Sequence, residues 1–398
     1  MIRRTLLVAL VVPWLGVSAG MAQTAPSETV STGSIGLRSG FDSNPTDTLG
    51  AHGSLFVTQT MNYDYLRGSL QEGIGLKFRA IDTLYDPNVA APSTNVLAAA
   101  TAALRLVPNL SWRTTLTTTI DDNWARRSHS VQLRNRIEYD TTRFRVFANL
   151  DTNLNALNER NIFTQGGFLP SDENFATTTI MPGFAYKFEA GEIGTSVALS
   201  RVAYFAPDIL GLDRSHDILQ PNAFFTAKVS GIELEGSLSP FFARYETTDF
   251  DPVRQLLYTA KLKYPTGPWT VGLGSSRTIQ DTTLSFASLD EALAHEASVS
   301  YKFDDNNAVS LLARFRRDDY LGVGLWSTTF LTGIDFAHNF GDGFIGTAGA
   351  SVRQVRRPDE VQPWALNLQV GLQKTLDFGG PQKAAPDKAV GIKRPTAQ

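Results

Sequence analysis

The residues from Trp364 to Phe378 alternate between apolar and polar side chains with a period of two. The apolar set is Trp364, Leu366, Leu368, Val370, Leu372, Leu376 and Phe378, and only Lys374 interrupts it. Because side chains alternate between the two faces of a strand, one face here is oily and the other is wet. Aromatic residues stand at both ends of the oily face. This pattern is typical of a strand with lipid on one side and water on the other.

Similar alternation recurs along almost the whole chain. From Val30 onward, about eighteen segments have strand-like patterns, most of them long enough for a tilted membrane crossing of about ten residues. They cover roughly 31–41, 53–65, 69–82, 96–106, 110–121, 131–139, 144–155, 177–188, 193–204, 219–229, 232–245, 254–264, 269–279, 293–303, 309–317, 326–340, 344–355 and 364–378. The pattern predicts an all-β fold, a transmembrane antiparallel up-and-down β-barrel of about 18 strands.

The connections between these segments alternate between short and long, as in outer-membrane barrels. Short ones such as Ser230-Gly231 carry turn residues, whereas Leu157–Ala176 and Gln280–Ala292 are long. Short turns face the periplasm in such barrels, so an even strand number predicts periplasmic N- and C-termini. A soluble sandwich is disfavoured because so many strands cannot bury their apolar faces in one closed barrel. A propeller is disfavoured because the sequence lacks a blade-length repeat.

The two ends of the chain lack the alternating pattern of its middle. Arg3 and Arg4 precede a short apolar stretch, and Gly20-Met21-Ala22 is a small-x-small cleavage site, which predicts a signal peptide over 1–22. A membrane anchor is the alternative, but the stretch is short for a span. We predict the barrel over 23–378 and a disordered periplasmic tail over 379–398, rich in Pro, Lys and Ala. The location is then a Gram-negative outer membrane, with its lipid and lipopolysaccharide as partners.

Composition narrows the functional classes. The chain has no cysteine and a net charge of −3, which excludes thiolate metal sites and gives no global attraction to nucleic acid. The five histidines are scattered, and no Ser–His–acid arrangement follows from spacing. The polar run Asp304–Asn307 resembles a calcium loop less than a hairpin turn. We therefore predict a non-enzyme without catalytic residues, metal or cofactor.

The water-facing phase of the strands collects many cations. The candidate lumen-lining residues are Arg79, Arg113, Arg134, Arg136, Arg145, Arg314, Arg316, Arg353, Asp151 and Asp335. Counted over all strands, this face is net positive, which favours anionic solutes or an acidic polymer. In the alternative interpretation, the charges pair across strands and only solvate the wall. Strand neighbourhood would also bring Arg314, Arg316 and Arg353 near Asp335 as an ion-pair cluster.

A short motif follows the first strand, which carries Arg38. Gly40-Phe41-Asp42-Ser43-Asn44-Pro45 suits a turn, because Asp42 and Asn44 favour Asx turns and Pro45 ends the strand. This opening, with the eighteen-strand layout behind it, resembles the outer-membrane β-barrel porin 2 family over most of the mature chain. The resemblance implies a barrel associated with exopolysaccharide or capsule export, paired with a periplasmic polysaccharide-export protein. It assigns no functional residues.

Three functions remain open from the sequence. The first is an outer-membrane channel that exports exopolysaccharide or capsular polysaccharide. The second is a general or anion-preferring diffusion porin for small solutes, with Leu157–Ala176 as the candidate constricting loop. The third, from another class, is a lipid-modifying enzyme of the outer membrane or a structural barrel, and the missing Ser/His site disfavours the enzyme.

Overall fold

The computed structural model describes residues 29–69, 72–123, 125–159, 172–208, 210–284, 287–358 and 360–378. The predicted signal peptide (1–22) and the predicted tail (379–398) lie outside these residues. The strands are β1 (Thr29–Asp42), β2 (Ser54–Gly68), β3 (Gly73–Tyr85), β4 (Ser93–Val107), β5 (Leu110–Asp122), β6 (Arg126–Asp140), β7 (Phe144–Glu159), β8 (Asp172–Phe188), β9 (Gly191–Tyr204), β10 (His216–Val229), β11 (Ile232–Tyr245), β12 (Val253–Thr266), β13 (Trp269–Gln280), β14 (Asp290–Lys302), β15 (Asn307–Tyr320), β16 (Leu325–Gly341), β17 (Phe344–Arg357), β18 (Glu360–Val361) and β19 (Ala365–Asp377). The described part of the chain contains no helix that could cross a membrane.

The strands form one closed antiparallel sheet. Each long strand pairs with the next in sequence, and β19 pairs with both β17 and β1, which closes the wall. The two-residue strand β18 pairs only with the end of β17, so it is an appendage and eighteen strands form the barrel. The predicted fold class is confirmed. Closure removes every free sheet edge, which is what a hydrocarbon environment requires of backbone hydrogen bonds.

The apolar side chains point outward. Across the closing seam Leu37 lies opposite Leu372 and Phe41 lies opposite Leu368, and all four are exposed. Val370 is 62% exposed, although it sits in the middle of β19. Aqueous solvent would penalise such a continuous apolar surface by about 25 cal/mol per Å². The exterior is therefore a lipid-facing band, and the protein is a transmembrane barrel.

Lys374 interrupts the apolar face of β19 for a local reason. It lies opposite Ile35 near the end of the strand, so its backbone belongs to the outer face. Its ammonium group donates to the carbonyl of Asp342 in the β16–β17 turn and lies 3.9 Å from the centre of the Phe344 ring. The apolar stem therefore stays in the band while the charge reaches the polar rim, as long cationic side chains do at membrane interfaces.

The two rims of the barrel differ in the length of their connections. At the short-turn rim, the β10–β11 connection is the pair Ser230 and Gly231, with φ of 50° and 82°, which suits a tight hairpin turn of the primed type. The described chain begins and ends at this rim, where the Phe378 ring packs on Tyr63 at 5.9 Å. The other end of the barrel carries the longer connections and is called the long-loop rim.

Several strands extend farther toward the long-loop rim than the sequence predicted. β7 continues to Glu159, β14 begins at Asp290 and β15 ends at Tyr320. The alternation of apolar residues stops at the edge of the lipid band, whereas the backbone pairing continues beyond it. The strands predicted from the alternation are therefore too short. The same extension places both ends of the predicted constricting loop Leu157–Ala176 in β7 and β8, and residues 160–171 lie outside the described part.

Candidate functional site in the lumen

The predicted lumenal arginines on β6 and β7 lie on the face opposite the apolar exterior, and each has an acidic partner. Arg134 lies opposite Asp151 and its Nε is 2.9 Å from that carboxylate. Arg136 pairs with Glu138 at 2.6 Å, and Arg145 pairs with Glu192 of β9 at 2.5 Å. These pairs run within and between strands, so the positive charge on this part of the wall is largely compensated.

Phe147 occupies the lumenal wall between two of these cations. The guanidinium carbons of Arg136 and Arg145 lie 4.5 Å and 5.6 Å from the centre of its ring. Gly183 stands directly opposite Phe147, and a Cβ there would come within 2.2 Å of the ring. The absence of a side chain at 183 therefore lets the ring lie flat against the wall, where it can hold both arginines by cation–π attraction.

Arg79 and Arg113 complete the basic positions on the first strands. Arg79 lies opposite Asn62, and no ion pair involves it within the described residues. Arg113 lies directly opposite Arg136 across the β5–β6 pair. Adjacent like charges repel, so the pairing of Arg136 with Glu138 moderates a local concentration of positive charge.

The three arginines predicted to surround Asp335 instead pair with other carboxylates. Arg314 contacts Glu296 at 2.5 Å and Arg316 contacts Asp318 at 2.6 Å. Arg314 lies opposite Leu331, four residues along β16 from Asp335, or about 13 Å at strand rise. The strands are neighbours as predicted, but their register separates these charges.

Arg353 binds the motif that follows β1. Its Nε donates to Asp47 at 2.8 Å and its Nη2 donates to the carbonyl of Asn44 at 2.9 Å. The Asn44 amide also donates to Asp42 at 2.9 Å, which forms the Asx turn predicted for the motif. The β1–β2 loop (residues 43–53) is therefore fixed to the wall of β17, and the motif has a structural role here.

The lumen carries more acids than the sequence analysis counted. Pairing with neighbouring strands, or contact with lumenal side chains, places the following additional carboxylates inside: Asp42, Asp140, Glu159, Glu173, Glu192, Asp281, Asp290 and Asp318. Most belong to strand ends or loops that the alternation did not reach. The prediction of a net positive interior was based on an incomplete set of acids, and the structure favours the alternative in which charges pair across strands.

A loop crosses the lumen near the long-loop rim. It is the β13–β14 loop, residues 281–289, of which 285 and 286 lie outside the described part. The carboxylate of Glu159 at the end of β7 accepts hydrogen bonds from the Thr282 hydroxyl at 2.6 Å and from the Thr283 amide at 2.7 Å. Strands β8 to β12 separate β7 from β13 in the wall. The loop therefore reaches inward and narrows the lumen.

Arg214 holds the same loop from a second side. It belongs to the β9–β10 loop, is 1% exposed and donates to the carbonyls of Thr282, Leu284 and Ala287 at 3.0, 2.6 and 2.7 Å. A hydrogen bond to a charged group contributes about 1.5–3 kcal/mol. No sequence signal marked Arg214, because a single arginine in a polar loop has no periodic context.

The third attachment is apolar. Leu289 packs in a buried cluster that lines the lumenal side of β11 and β12, together with Phe241, Ala243, Tyr245, Phe250, Val253 and Leu257. The Tyr245 hydroxyl donates to the Ser288 carbonyl at 3.0 Å, and the Ser288 amide donates to Leu321 at 2.8 Å. The β13–β14 loop is thus bound to the barrel wall on three sides.

Asp281 is the first residue of this loop. The Tyr204 hydroxyl donates to its carboxylate at 3.3 Å, and His216 Nε2 lies 4.0 Å away. Burial raises the pKa of Asp281 above its ordinary value, and the nearby His216, Tyr204, Arg214 and Arg126 only partly oppose this. The folded-in position of the loop therefore favours the protonated carboxyl.

A polar cavity of about 270 Å³ lies beneath the loop, against β6, β7 and β8. Its lining comprises Arg126, Ser128, Gln132, Asp151, Asn153, Asn155, Leu157, Phe175, Thr177, Thr179, Gln280 and Asp281. Amide, hydroxyl and carboxylate groups offer both donors and acceptors, and Phe175, stacked on Tyr204 at 4.8 Å, supplies an aromatic edge. The arrangement can hydrogen-bond a small polar solute from several directions.

The turn Asp304–Asn307 is the place where the sequence offered a calcium loop as an alternative. Within the described residues, no group of three potential metal ligands comes together. At the turn Asp304–Asn307, the carboxylate of Asp304 accepts from the amides of Asn306 and Asn307 at 2.7 and 2.8 Å. These bonds identify a polar hairpin turn, in agreement with the preferred sequence interpretation.

Comparison with known proteins finds likeness in structure alone. No family model matches the sequence, and no curated protein matches it. The resemblance to the porin 2 family therefore gains no support from a family model.

Solved structures that resemble the barrel include three proteins of Pseudomonas aeruginosa. OccK2 (OpdF) is 12% identical, with 88% of this chain and 98% of that chain covered and a TM-score of 0.49. OpdQ is 14% identical over 88% and 98%, with a TM-score of 0.46. OpdK, solved with vanillate, is 12% identical over 87% and 99%, with a TM-score of 0.46. At these identities and TM-scores the likeness extends to general form and no further.

Proposed function

We propose that this protein is a passive outer-membrane channel for small polar solutes, the diffusion-porin alternative of the sequence analysis. The observation that carries the proposal is the polar cavity of about 270 Å³ beneath a loop that is fixed across the lumen. This volume lies just below the usual range for ligand pockets, about 300–1,000 Å³. A single small hydroxylated molecule fits such a space better than a polymer does.

Export of a polysaccharide is not proposed. A polymer strand would have to displace the β13–β14 loop, which Glu159, Arg214 and the cluster around Leu289 hold in place. Ion selectivity should be weak, because the lumenal arginines on β6, β7 and β15 have carboxylate partners. We also propose that the short-turn rim faces the periplasm, since the barrel begins and ends there.

Liposome swelling tests the channel. Purified protein should admit neutral monosaccharides quickly and trisaccharides slowly. Asn153→Leu/Asn155→Leu should slow monosaccharide entry at least about threefold, since it replaces cavity amides that hydrogen-bond hydroxyl groups. Asn62→Leu is the matched control, because Asn62 is a lumenal amide on β2 and does not line the cavity. Folded barrels that admit no monosaccharide would refute the proposal.

A further inference from the structure

The outer face of strands β8 to β12 combines an apolar row with a charged row. In the first row, Ile180, Leu199, Leu219, Phe242 and Arg254 follow one another in register from β8 to β12. In the second row, two residues nearer the long-loop rim, stand Thr178, Arg201, Asp217 and Arg244. Rows on one face two residues apart are separated by about 6.6–7 Å along the strands. Apolar and cationic groups therefore meet along a line on the lipid-facing surface.

An open groove of about 1050 Å³ lies against these rows. Its outward walls include Leu199, Leu219 and Phe242, which are 53%, 43% and 41% exposed. The side chains of Arg201, Arg244 and Arg254 also line the groove. The groove is thus apolar toward the middle of the membrane and basic toward the long-loop rim.

Within the described residues, the acids of this face contact only one of the three arginines. Asp217 lies opposite both Arg201 and Arg244, but it contacts Arg201, at 3.0 Å, and Glu246 contacts Arg201 as well. Arg244 and Arg254 are exposed, and within the described part of the chain neither forms an ion pair or a side-chain hydrogen bond. In the lumen, by contrast, Arg134, Arg136 and Arg145 each form an ion pair.

The position of Arg244 and Arg254 defines what can neutralise them. Arg244 is the last residue but one of β11, and Arg254 is the second residue of β12, so both lie where the lipid band ends. An arginine on the lipid face costs about 2–4 kcal/mol at the midplane but only about 0–1 near the interface. At that depth the neighbouring groups are lipid headgroups, and planar guanidinium groups bind phosphate oxygens in pairs.

We propose that this surface binds a membrane lipid with an anionic phosphate headgroup, its acyl chains in the groove and its phosphate on Arg244 and Arg254. Three arginines and two acids, Asp217 and Glu246, give this face a net charge of +1. An anionic headgroup balances that charge, whereas a zwitterionic headgroup does not. The site rests on membrane embedding alone and is independent of the solute that the channel passes.

Native mass spectrometry of the detergent-solubilised barrel tests the site with two probes. Diphosphoryl lipid A supplies an anionic phosphate headgroup, and phosphatidylethanolamine supplies a zwitterionic one. Arg244→Gln/Arg254→Gln should weaken binding of diphosphoryl lipid A at least about tenfold, because both phosphate contacts are lost. Arg67→Gln/Arg143→Gln is the matched control: it makes the same change of charge at exposed positions of the short-turn rim, and should bind within about twofold of the wild type.

Heat modifiability on gels shows that each variant is folded before binding is compared. The proposal is overturned if Arg244→Gln/Arg254→Gln binds diphosphoryl lipid A as well as the wild type does. It is also overturned if phosphatidylethanolamine binds the wild type equally tightly. Swelling rates should be the same in wild type and double variant, so a failure of the proposed channel function leaves this result interpretable.

Discussion

Glu159 and Thr283 exchange two hydrogen bonds across the lumen. The Thr283 amide donates to the Glu159 carboxylate at 2.7 Å, and the Glu159 amide donates to the Thr283 hydroxyl at 3.0 Å. One residue ends β7 and the other lies between β13 and β14, so the bonds tie together strands that are not neighbours in the wall. Pore width in this barrel therefore depends on tertiary contacts made by a loop.

Loosening the loop should widen the pore. Arg214→Met removes three hydrogen bonds to loop carbonyls, and Glu159→Ala removes the acceptor for Thr282 and Thr283. Charged hydrogen bonds contribute about 1.5–3 kcal/mol each, so we expect single-channel conductance to rise at least about twofold in either variant. Planar-bilayer recording measures this. Lys228→Met, an exposed residue at the other mouth, should leave conductance unchanged, and wild-type conductance in both loop variants would contradict the prediction.

Acid should favour the folded-in loop. Burial raises the pKa of Asp281, whereas a released loop would return the carboxyl to its ordinary value near 3.8. Closing the loop therefore takes up a proton above about pH 4, and the ionised carboxyl weakens closure as pH rises through the raised pKa. We expect longer closures when pH is lowered from 7 to 5. Asp281→Asn should stay closed at pH 7 and lose the pH dependence; an unaltered pH response in this variant would refute the assignment.

The two faces of β19 should respond oppositely to a new charge. Val370→Arg places a cation in the lipid band and should lower the free energy of unfolding by about 2–4 kcal/mol. Gln369→Arg places the same cation in the lumen, close to Asp335, and should cost little. Denaturant titration of the barrel in lipid vesicles, followed by tryptophan fluorescence, compares the two. Equal destabilisation would contradict the assignment of the faces.

The Arg353–Asp47 contact should couple the β1–β2 loop to the wall. A double-mutant cycle with Arg353→Ala, Asp47→Ala and both changes together should give a coupling energy of about 1–3 kcal/mol. Arg353→Ala should also expose residues 43–53 to proteases, because the Asn44 carbonyl loses its bond to Arg353. Strictly additive stabilities, with unchanged proteolysis, would show that the loop is held by other contacts.

The proposed orientation can be read directly in cells, since the chain has no cysteine. Asp249→Cys lies in the exposed β11–β12 loop at the long-loop rim, and Asp342→Cys lies in the exposed β16–β17 turn at the other rim. A maleimide that cannot cross the outer membrane should label only Asp249→Cys on intact cells. Both variants should react after lysis, and labelling of Asp342→Cys on intact cells would reverse the orientation.

The alternation of apolar and polar residues predicted the structure correctly where consecutive residues face lipid and water in turn. The alternation of Leu366, Leu368 and Val370 with Asn367 and Gln369 fixes one wet and one oily face, and the structure has these faces. The wall of eighteen strands follows from repeating that pattern. The turn at Ser230-Gly231 follows from residues that tolerate positive φ.

The apolar alternation gave wrong predictions where the backbone pairing of the strands continues beyond the lipid band. Asp290 and Asp318 lie in strand ends without apolar partners to mark a phase, so the lumen was predicted to be more positive than its full set of acids allows. The charge cluster around Asp335 failed for a related reason. The alternation shows on which face of the sheet a residue lies, but the strand register sets its position along the barrel axis. In this register Arg314 lies opposite Leu331, four residues along β16 from Asp335.

The amino-acid sequence alone determined the architecture, because each strand must place apolar side chains toward lipid and polar side chains toward water. Only the tertiary structure decided which loop narrows the lumen and which arginines remain unpaired. Those outcomes depend on Glu159 contacting Thr283 and on Asp217 contacting Arg201 rather than Arg244, and residues distant in the chain set both. Local periodicity carries no information about such encounters, since they are fixed by the closure and register of the whole barrel.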